Sequence, residues 1–302
     1  MKLSQRIVAL LISTALAATV LMGCQQSTPT ATQPPAERTV TDMAGRTVKL
    51  PAEINTIATL GAIGVLNTFV ETMGEGSKIC NEMSPNFTKK DTWKYQYVFA
   101  PQLKEKPVFE DASREILMEK VLQVKPDLCL TMDKAAAEKL AAQGLTAIYI
   151  SWEKLEDVET CINLLGEVFN KQDVAKDYLD WFDKTVAKAQ DLTKDLKEED
   201  KKKVVYGNVA TYTQPHIIAE WWISTAGGIS VTDNGRTTNT LTYTMEDLLL
   251  WNPDVMILTD KTIEKDVLAD SRFADIPAVK NQQIFAVPAV AHIWGNRTLS
   301  SR

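Results

Sequence analysis

One short stretch of this sequence occurs twice and decides the fold: residues 119–130 read EKVLQVKPDLCL, and residues 246–257 read EDLLLWNPDVMI. In both copies a glutamate begins an amphipathic helix, a Pro-Asp pair ends it, and a buried strand follows. A further helix and strand come after the first copy (135–150), and a matching strand, 283–287, comes after the second. Such alternation builds parallel sheets covered by helices. The sequence therefore predicts an α/β protein with two similar lobes.

A long stretch without proline or glycine lies between the two copies, from Asp173 to about Lys203. Apolar residues recur there at steps of three and four, which is the spacing of one face of a helix. These residues are Ala175, Leu179, Phe182, Val186, Ala189, Leu192 and Leu196. We expect one long helix to join an N-terminal lobe (39–168) to a C-terminal lobe (204–302), within a connecting segment over 169–203.

The chain begins with the pattern of an export signal. A basic N-terminus precedes an apolar run over residues 7–21, which is too short to be read as a membrane-spanning helix. The run ends in Leu-Met-Gly-Cys24, which resembles the lipobox of bacterial lipoproteins. We expect a signal peptide over 1–23, a lipid on the Cys24 thiol and a flexible, proline-rich tether over 24–38. An ordinary cleaved signal beside a chance cysteine is the alternative.

Composition argues against two broad classes of function. The chain has 33 Lys and Arg against 39 Asp and Glu, a net charge of −6, so we expect no nucleic-acid partner. The H-E-x-x-H and G-x-S-x-G motifs do not occur in the sequence, and we do not expect an enzyme. Cys80, Cys129 and Cys161 are widely spaced, so we expect mostly buried small hydrophobic residues, with one disulfide left open.

The segment that follows the tether reads VTDMAGRTV at 40–48, an alternating pattern that predicts a hairpin. This hairpin, the two Pro-Asp repeats and the connecting helix resemble the class III solute-binding proteins of ABC importers. More narrowly, they are similar to the subfamily that binds iron–siderophore complexes, haem and vitamin B12. The resemblance covers residues 39–297. Family members usually carry a final helical segment beyond this point, so we expect a second lobe that is truncated or closes differently.

The resemblance implies a ligand cleft between the lobes, at the carboxyl ends of the strands. Aromatic residues alternate along 93–99, which predicts a strand-like segment with one aromatic face. The residues that we expect to face the ligand are Trp93, Tyr95, Tyr97, Trp152, Trp222, Arg236, His292, Trp294 and Arg297. Aromatic walls suit a large, partly apolar ligand, and the arginines suit an anionic group on it. Core packing is the alternative for each aromatic residue.

The two histidines, His216 and His292, are too few for the three-histidine-plus-carboxylate set of bare zinc or manganese receptors. A site built from one histidine and one tyrosine stays open, and the identity of any metal is unknown. We expect no resident cofactor, with any metal carried in the bound ligand.

The resemblance also implies partners. We expect a monomeric, lipid-anchored extracytoplasmic receptor that captures a metal chelate and delivers it to an ABC permease and its ATPase. Glu119 and Glu246 lie seven residues before the two matched prolines, and the resemblance implies that each meets arginines of the permease. Ordinary first-turn glutamates, favoured by the helix dipole, are the alternative. The alternative functions are an oxyanion receptor for molybdate or tungstate and, less favoured, an exported enzyme.

Overall fold

A computed structural model of the protein describes residues 38–89 and 93–287, which belong to one compact unit. The strands are β1 Arg38–Thr41, β2 Thr47–Leu50, β3 Ile57–Leu60, β4 Leu128–Thr131, β5 Ala147–Tyr149, β6 Lys203–Gly207, β7 Thr213–Gln214, β8 Ile229–Ser230, β9 Leu241–Thr242, β10 Val255–Leu258 and β11 Ile284–Ala286. The α-helices are α1 Ile63–Thr72, α2 Pro85–Thr88, α3 Gln96–Phe99, α4 Met118–Val124, α5 Lys134–Ala142, α6 Leu155–Phe169, α7 Gln172–Thr193, α8 Ile218–Thr225, α9 Met245–Trp251, α10 Thr262–Ala269 and α11 Pro277–Lys280. Strands and helices alternate along most of the described chain.

Two parallel sheets form the centres of the two lobes. The first has the strand order β3-β4-β5 and the second the order β11-β10-β6-β8. In the first sheet Leu130 lies opposite Thr59 and Ile148, and in the second Ile257 lies opposite Tyr206. Strands β3 and β4 are buried along their whole length, as expected of a parallel sheet with helices on both faces. The predicted fold class is confirmed.

Alternate residues of each strand belong to different hydrophobic clusters, because successive side chains point to opposite faces of a sheet. In the first sheet Leu130 packs with Phe69 of α1, whereas its neighbour Cys129 packs with Leu140 of α5. The second sheet follows the same rule. Its Tyr206 face is covered by α8, and its opposite face is covered by α9, α10 and α11. On the α8 side the cover is incomplete, since Phe285 of β11 is 52% exposed.

The predicted hairpin forms from β1 and β2, with Val40 opposite Val48. The Asp42 carboxylate closes its turn by accepting the backbone N–H groups of Ala44 and Arg46, each at 3.0 Å. Its other oxygen accepts the Arg46 guanidinium and, at 3.0 Å, the N–H of Tyr149. Burial alone would raise the pKa of Asp42, but these hydrogen bonds outweigh it and lower the pKa below its ordinary value. The turn is therefore fixed to the carboxyl end of β5.

Helix α7 has 22 residues and joins the lobes. Its beginning packs on the first lobe, where Ala175 and Tyr178 are buried. The helix ends at Thr193, well before the predicted end near Lys203. The residues beyond Thr193 are mostly charged, and Leu196 is 39% exposed, so no apolar face packs to support further turns. The predicted helix was too long at its C-terminal end.

Helices α4 and α9, which belong to the duplicated stretch, end in the same way. Each has seven residues and is followed by a residue in the left-handed region: Lys125 at φ 51° and Asn252 at φ 51°. In each case the backbone N–H of that residue donates to a carbonyl four residues earlier. A proline follows both times, and proline cannot continue a helix hydrogen-bond pattern. The sequence repeat is thus a repeat of backbone geometry.

The aspartate after each proline ties the unit to the neighbouring strand. Asp127 Oδ2 accepts the backbone N–H groups of Asn55 and Thr56, each at 2.9 Å, and the Thr56 hydroxyl at 3.0 Å. Asp254 Oδ2 accepts the N–H of Lys203 at 2.9 Å. These contacts place the carboxylates just before β3 and at the start of β6.

Across the described ranges, no helix is both long and apolar enough to cross a membrane.

Candidate ligand-binding site

The carboxyl ends of the parallel strands form the edge where open α/β sheets generally bind ligands. In the first lobe this edge contains Gly61 after β3, the loop beginning at Met132 after β4, and Ser151 after β5. The hairpin turn reaches the same edge, since the Ser151 N–H lies 3.2 Å from the Met43 sulfur. The fold therefore brings separate parts of the first lobe to one edge.

Glu110 is fully buried at this edge. Its Oε1 accepts the backbone N–H of Gly61, and its Oε2 has no hydrogen-bond partner within the part of the chain that the structure describes. Gly61 has φ +86°, a left-handed conformation that favours glycine, and a Cβ there would make only ordinary van der Waals contact with the Thr131 hydroxyl, at 3.8 Å. Burial raises the pKa of Glu110 to about 7. The first lobe thus buries an acid whose charge changes near neutral pH.

The predicted strand-like aromatic segment does not form, because its second half is helix α3. Trp93 is buried at 5% exposure, against Gly64 of α1, where a Cβ would collide with the indole. The Trp93 ring also meets Phe87 edge to face, with centroids 5.2 Å apart. Trp93 is therefore packed in the core of the first lobe, as in the core-packing alternative, and its contact with a ligand stays a prediction.

Tyr95 and Tyr97 remain accessible to different degrees. Tyr95 is 37% exposed, with the Lys94 ammonium 5.5 Å from its ring centroid. The Tyr97 hydroxyl donates to Glu82 Oε1 at 2.9 Å, and the Lys104 ammonium lies 4.9 Å from the Tyr97 ring. Both tyrosines are anchored by contacts within the first lobe, and their contact with a ligand stays a prediction.

An apolar cavity of about 410 Å³ lies between the lobes, against α7. Trp152 reaches it from just beyond β5, and Trp222 reaches it from α8 in the second lobe. Its lining residues are Trp152, Val158, Tyr178, Phe182, Thr185, Val186, Ala189, Ile218, Trp221, Trp222, Thr225, Ala226, Ile257, Ala286 and Val287. None of them carries a formal charge, so the cavity is suited to an apolar group.

The indole rings that border this cavity are held by other aromatic rings. Trp152 packs on Phe69 with centroids 4.9 Å apart, and Trp222 meets Tyr206 edge to face at 5.1 Å. Val287, directly after β11, lines the same space, so the cavity reaches the carboxyl ends of β5 and β11. Of the predicted ligand residues, the structure brings Trp152 and Trp222 together here.

Arg236, a predicted partner for an anion, is occupied by its own lobe. Its guanidinium pairs with Glu220 at 2.7 Å, and only 7% of the side chain is exposed. It also donates to the carbonyl of Thr232 at 2.6 Å, to Gln214 Oε1 at 2.8 Å and to the carbonyl of Thr238 at 3.2 Å. With its donors engaged in this way, Arg236 holds the loop after β8, and its predicted contact with an anion stays a prediction.

The remaining predicted groups are the two histidines, Trp294 and Arg297. Burial lowers the pKa of His216, so its imidazole is neutral at pH 7. His292, Trp294 and Arg297 lie outside the described residues. Within residues 38–89 and 93–287, no group of three or more His, Cys, Asp or Glu side chains is arranged to hold a metal ion.

The sequence alone does not predict the contacts of Glu110, Gln214 and Glu220. Each belongs to no motif, and each acquires its role from residues distant in the chain: Gly61 is 49 positions from Glu110, and Arg236 is 22 positions from Gln214. A solitary glutamate gives no periodic signal, so only the folded structure identifies these contacts.

Solved structures share this fold over most of both chains. A periplasmic solute-binding protein from Veillonella parvula is 23% identical, with 86% of this chain and 83% of that chain aligned and a TM-score of 0.67. The molybdate-binding protein MolA of Haemophilus influenzae is 20% identical, with 86% of each chain aligned and a TM-score of 0.74. The haem-binding protein HmuT is 16% identical, with 87% of each chain aligned and a TM-score of 0.62. These likenesses show the fold alone.

Among curated protein sequences, none matches this chain. The model of the periplasmic binding protein family, in contrast, matches residues 78–291, which is more than half of the 302 residues. Its match includes both Pro-Asp units and the helix between the lobes. The chain therefore belongs to the class III periplasmic binding proteins, the extracytoplasmic solute-binding components of ABC transporters.

Proposed function

We propose that this protein captures a metal chelate of the iron–siderophore, haem or corrinoid type between its lobes and delivers it to an ABC permease and its ATPase. The observation that supports this ligand class is the cavity shared by Trp152 and Trp222 at the carboxyl ends of β5 and β11. Uncharged aromatic and aliphatic walls favour a ligand with a large apolar surface. The role is binding rather than catalysis, and any metal belongs to the cargo.

An oxyanion such as molybdate is the second candidate, because MolA has the same fold and binds molybdate. A small oxyanion needs several hydrogen-bond donors or cations around it. Arg236 is engaged by Glu220 and Gln214, and the cavity beside Trp152 has no charged wall. These observations favour the chelate over the oxyanion.

Ligand identity is tested first by native mass spectrometry of the purified protein with whatever co-purifies. Intrinsic tryptophan fluorescence is then titrated with a ferric siderophore, haem, cyanocobalamin, molybdate and tungstate. We expect a chelate to change the emission, and Trp152→Ala or Trp222→Ala to weaken its binding by about 1–3 kcal/mol, roughly 5- to 150-fold. Trp251→Phe is the control, because Trp251 packs against Tyr243 in a different cluster.

Two results would overturn parts of this proposal. Binding of molybdate or tungstate without binding of any chelate would replace the chelate with the oxyanion. Unchanged chelate affinity in both tryptophan variants, with folding intact, would remove the cavity from the site while leaving the receptor function in place.

The membrane anchor that we propose is a lipid on Cys24, which lies outside the described residues. Cys24→Ala should release the protein from membranes into the soluble fraction. Retention of that variant after a carbonate wash would contradict lipidation as the anchor.

The permease contact that we propose uses Glu119 on α4 and Glu246 on α9. Both side chains are exposed, and both are the second residue of their matched helices. A carboxylate on each lobe suits a partner with an arginine at each of two equivalent positions. The double variant Glu119→Ala/Glu246→Ala should keep ligand affinity and lose uptake. Normal uptake by that variant would exclude this role.

A further inference from the structure

Helices α4 and α9 each present a leucine to solvent one turn after their glutamate. Leu122 is 38% exposed and Leu249 is 46% exposed. They follow Glu119 and Glu246 by three residues, and residues three apart lie on the same face of a helix. Each lobe therefore carries a carboxylate and an apolar side chain side by side.

The backbone makes these two pairs equivalent. Val121 and Leu248, which precede the leucines, are fully buried and fix the rotation of each helix on its sheet. The left-handed residue and the Pro-Asp unit then fix where each helix ends. A single exposed leucine on a soluble protein needs no explanation. Two at the same position of a duplicated unit, each beside a glutamate, point to a partner with two equivalent surfaces.

We propose that Glu119 with Leu122 and Glu246 with Leu249 form two matched contact patches for the two membrane-spanning subunits of an ABC permease. This inference rests on the proposed function and adds the apolar half of each contact. The partner surface has, at each of two positions, a guanidinium or ammonium group next to an apolar pocket. The carboxylates speed association, and the leucines, which lose water in the complex, slow dissociation.

The two patches differ in size. Leu250, next to Leu249, is 81% exposed, whereas the matched residue of the first lobe is Gln123. The second patch is therefore the larger apolar surface. We expect Leu249→Ser to speed dissociation more than Leu122→Ser.

The test uses the permease–ATPase complex of the cells that express this protein, purified in lipid nanodiscs. Association and dissociation of the receptor are measured by interferometry at two salt concentrations. The double variant Leu122→Ser/Leu249→Ser should dissociate about 10-fold faster with unchanged association. The double variant Glu119→Gln/Glu246→Gln should associate more slowly and lose most of its salt dependence. Leu268→Ser on α10, where Leu268 is 57% exposed, is the matched control.

The outcomes separate this inference from the proposed docking. Unchanged dissociation of the leucine variant, with slowed association of the glutamate variant, would overturn the apolar patches alone. Unchanged kinetics of both variants would overturn docking as well. Self-association of the wild-type protein that the leucine variant abolishes would assign the patches to a second copy of this chain. If Leu268→Ser and the double leucine variant change the dissociation rate equally, the effect comes from surface hydrophobicity in general. That result would also overturn the inference.

Discussion

The two lobes share a folding unit but bury an acid near the carboxyl ends of their strands in different ways. In the second lobe Glu220 pairs with Arg236 at 2.7 Å, and both side chains are nearly buried. In the first lobe Glu110 accepts the N–H of Gly61 but has no cation within hydrogen-bond distance among the described residues. A buried acid without a cationic partner is harder to ionise than one in solution. The second lobe therefore holds a paired acid, whereas the first holds a lone acid whose pKa is raised to about 7.

The largest effect should come from breaking the ion pair. Glu220→Gln leaves Arg236 buried without its counter-charge, which should cost about 3 kcal/mol of unfolding free energy. Urea denaturation of the wild type and the variant measures this loss of unfolding free energy. Asp191→Asn, which removes the exposed pair with Lys194, should change stability by less than about 0.5 kcal/mol. If Glu220→Gln lowers the unfolding free energy by less than about 0.5 kcal/mol, the ion pair does not stabilise the second lobe.

A smaller difference in stability should separate variants of Asp127 and Asp254, the aspartates that follow the two matched prolines. Asp127→Ala removes three accepted hydrogen bonds and should cost about 2 kcal/mol, whereas Asp254→Ala removes one and should cost about 1 kcal/mol. Backbone and Thr56 hydrogen bonds outweigh burial and lower the pKa of Asp127 below 3.8. Its stabilisation is therefore present above pH 3.8 and is lost as pH falls through its folded-state pKa. Equal costs for the two variants would contradict the difference in clamping.

The lone acid of the first lobe should give a weaker, pH-dependent effect. Burial raises the pKa of Glu110 from 4.5 to about 7, so its contribution is full below pH 4.5 and is lost as pH rises through 7. As the pH rises from 5 to 8, we expect the unfolding free energy of Glu110→Gln to increase by about 1 kcal/mol relative to that of the wild type. The lowered pKa of His216 has the opposite effect on the pH dependence of stability. Because that effect is the same in the wild type and the variant, it cancels in their difference. A pH-independent difference would contradict a protonated Glu110.

The smallest expected effect tests whether the lobes open separately. Cys80, Cys129 and Cys161 are buried free thiols of the first lobe, and burial raises the pKa values of Cys80 and Cys129 to about 11 and 12. Native labelling with iodoacetamide should be slow, because the thiolate is scarce and shielded. Glu220→Gln should leave the labelling rate unchanged. Asp127→Ala should raise it, and equal acceleration by both variants would show that the lobes open together.

The elements predicted correctly from the sequence are those with local signals. The hairpin at 40–48, the two Pro-Asp units and the sheets carry alternation, helix stops or buried runs within a few residues of one another. The features that could not be predicted from the sequence depend on contacts between residues distant in the chain. Trp93 looked accessible in an alternating segment, but Gly64 of α1 leaves space for its indole. Arg236 looked free, but the chain folds Glu220 and Gln214 against it.

Helix α7 also has a kinetic consequence for the receptor. The 22-residue helix contains neither proline nor glycine, and both lobes pack against it, so bending it costs hydrogen bonds along its length. A large hinge motion that closes the two lobes around a ligand is therefore disfavoured. Residence time must then come from the ligand's own contacts, and exchange should follow a single exponential without a slow conformational phase.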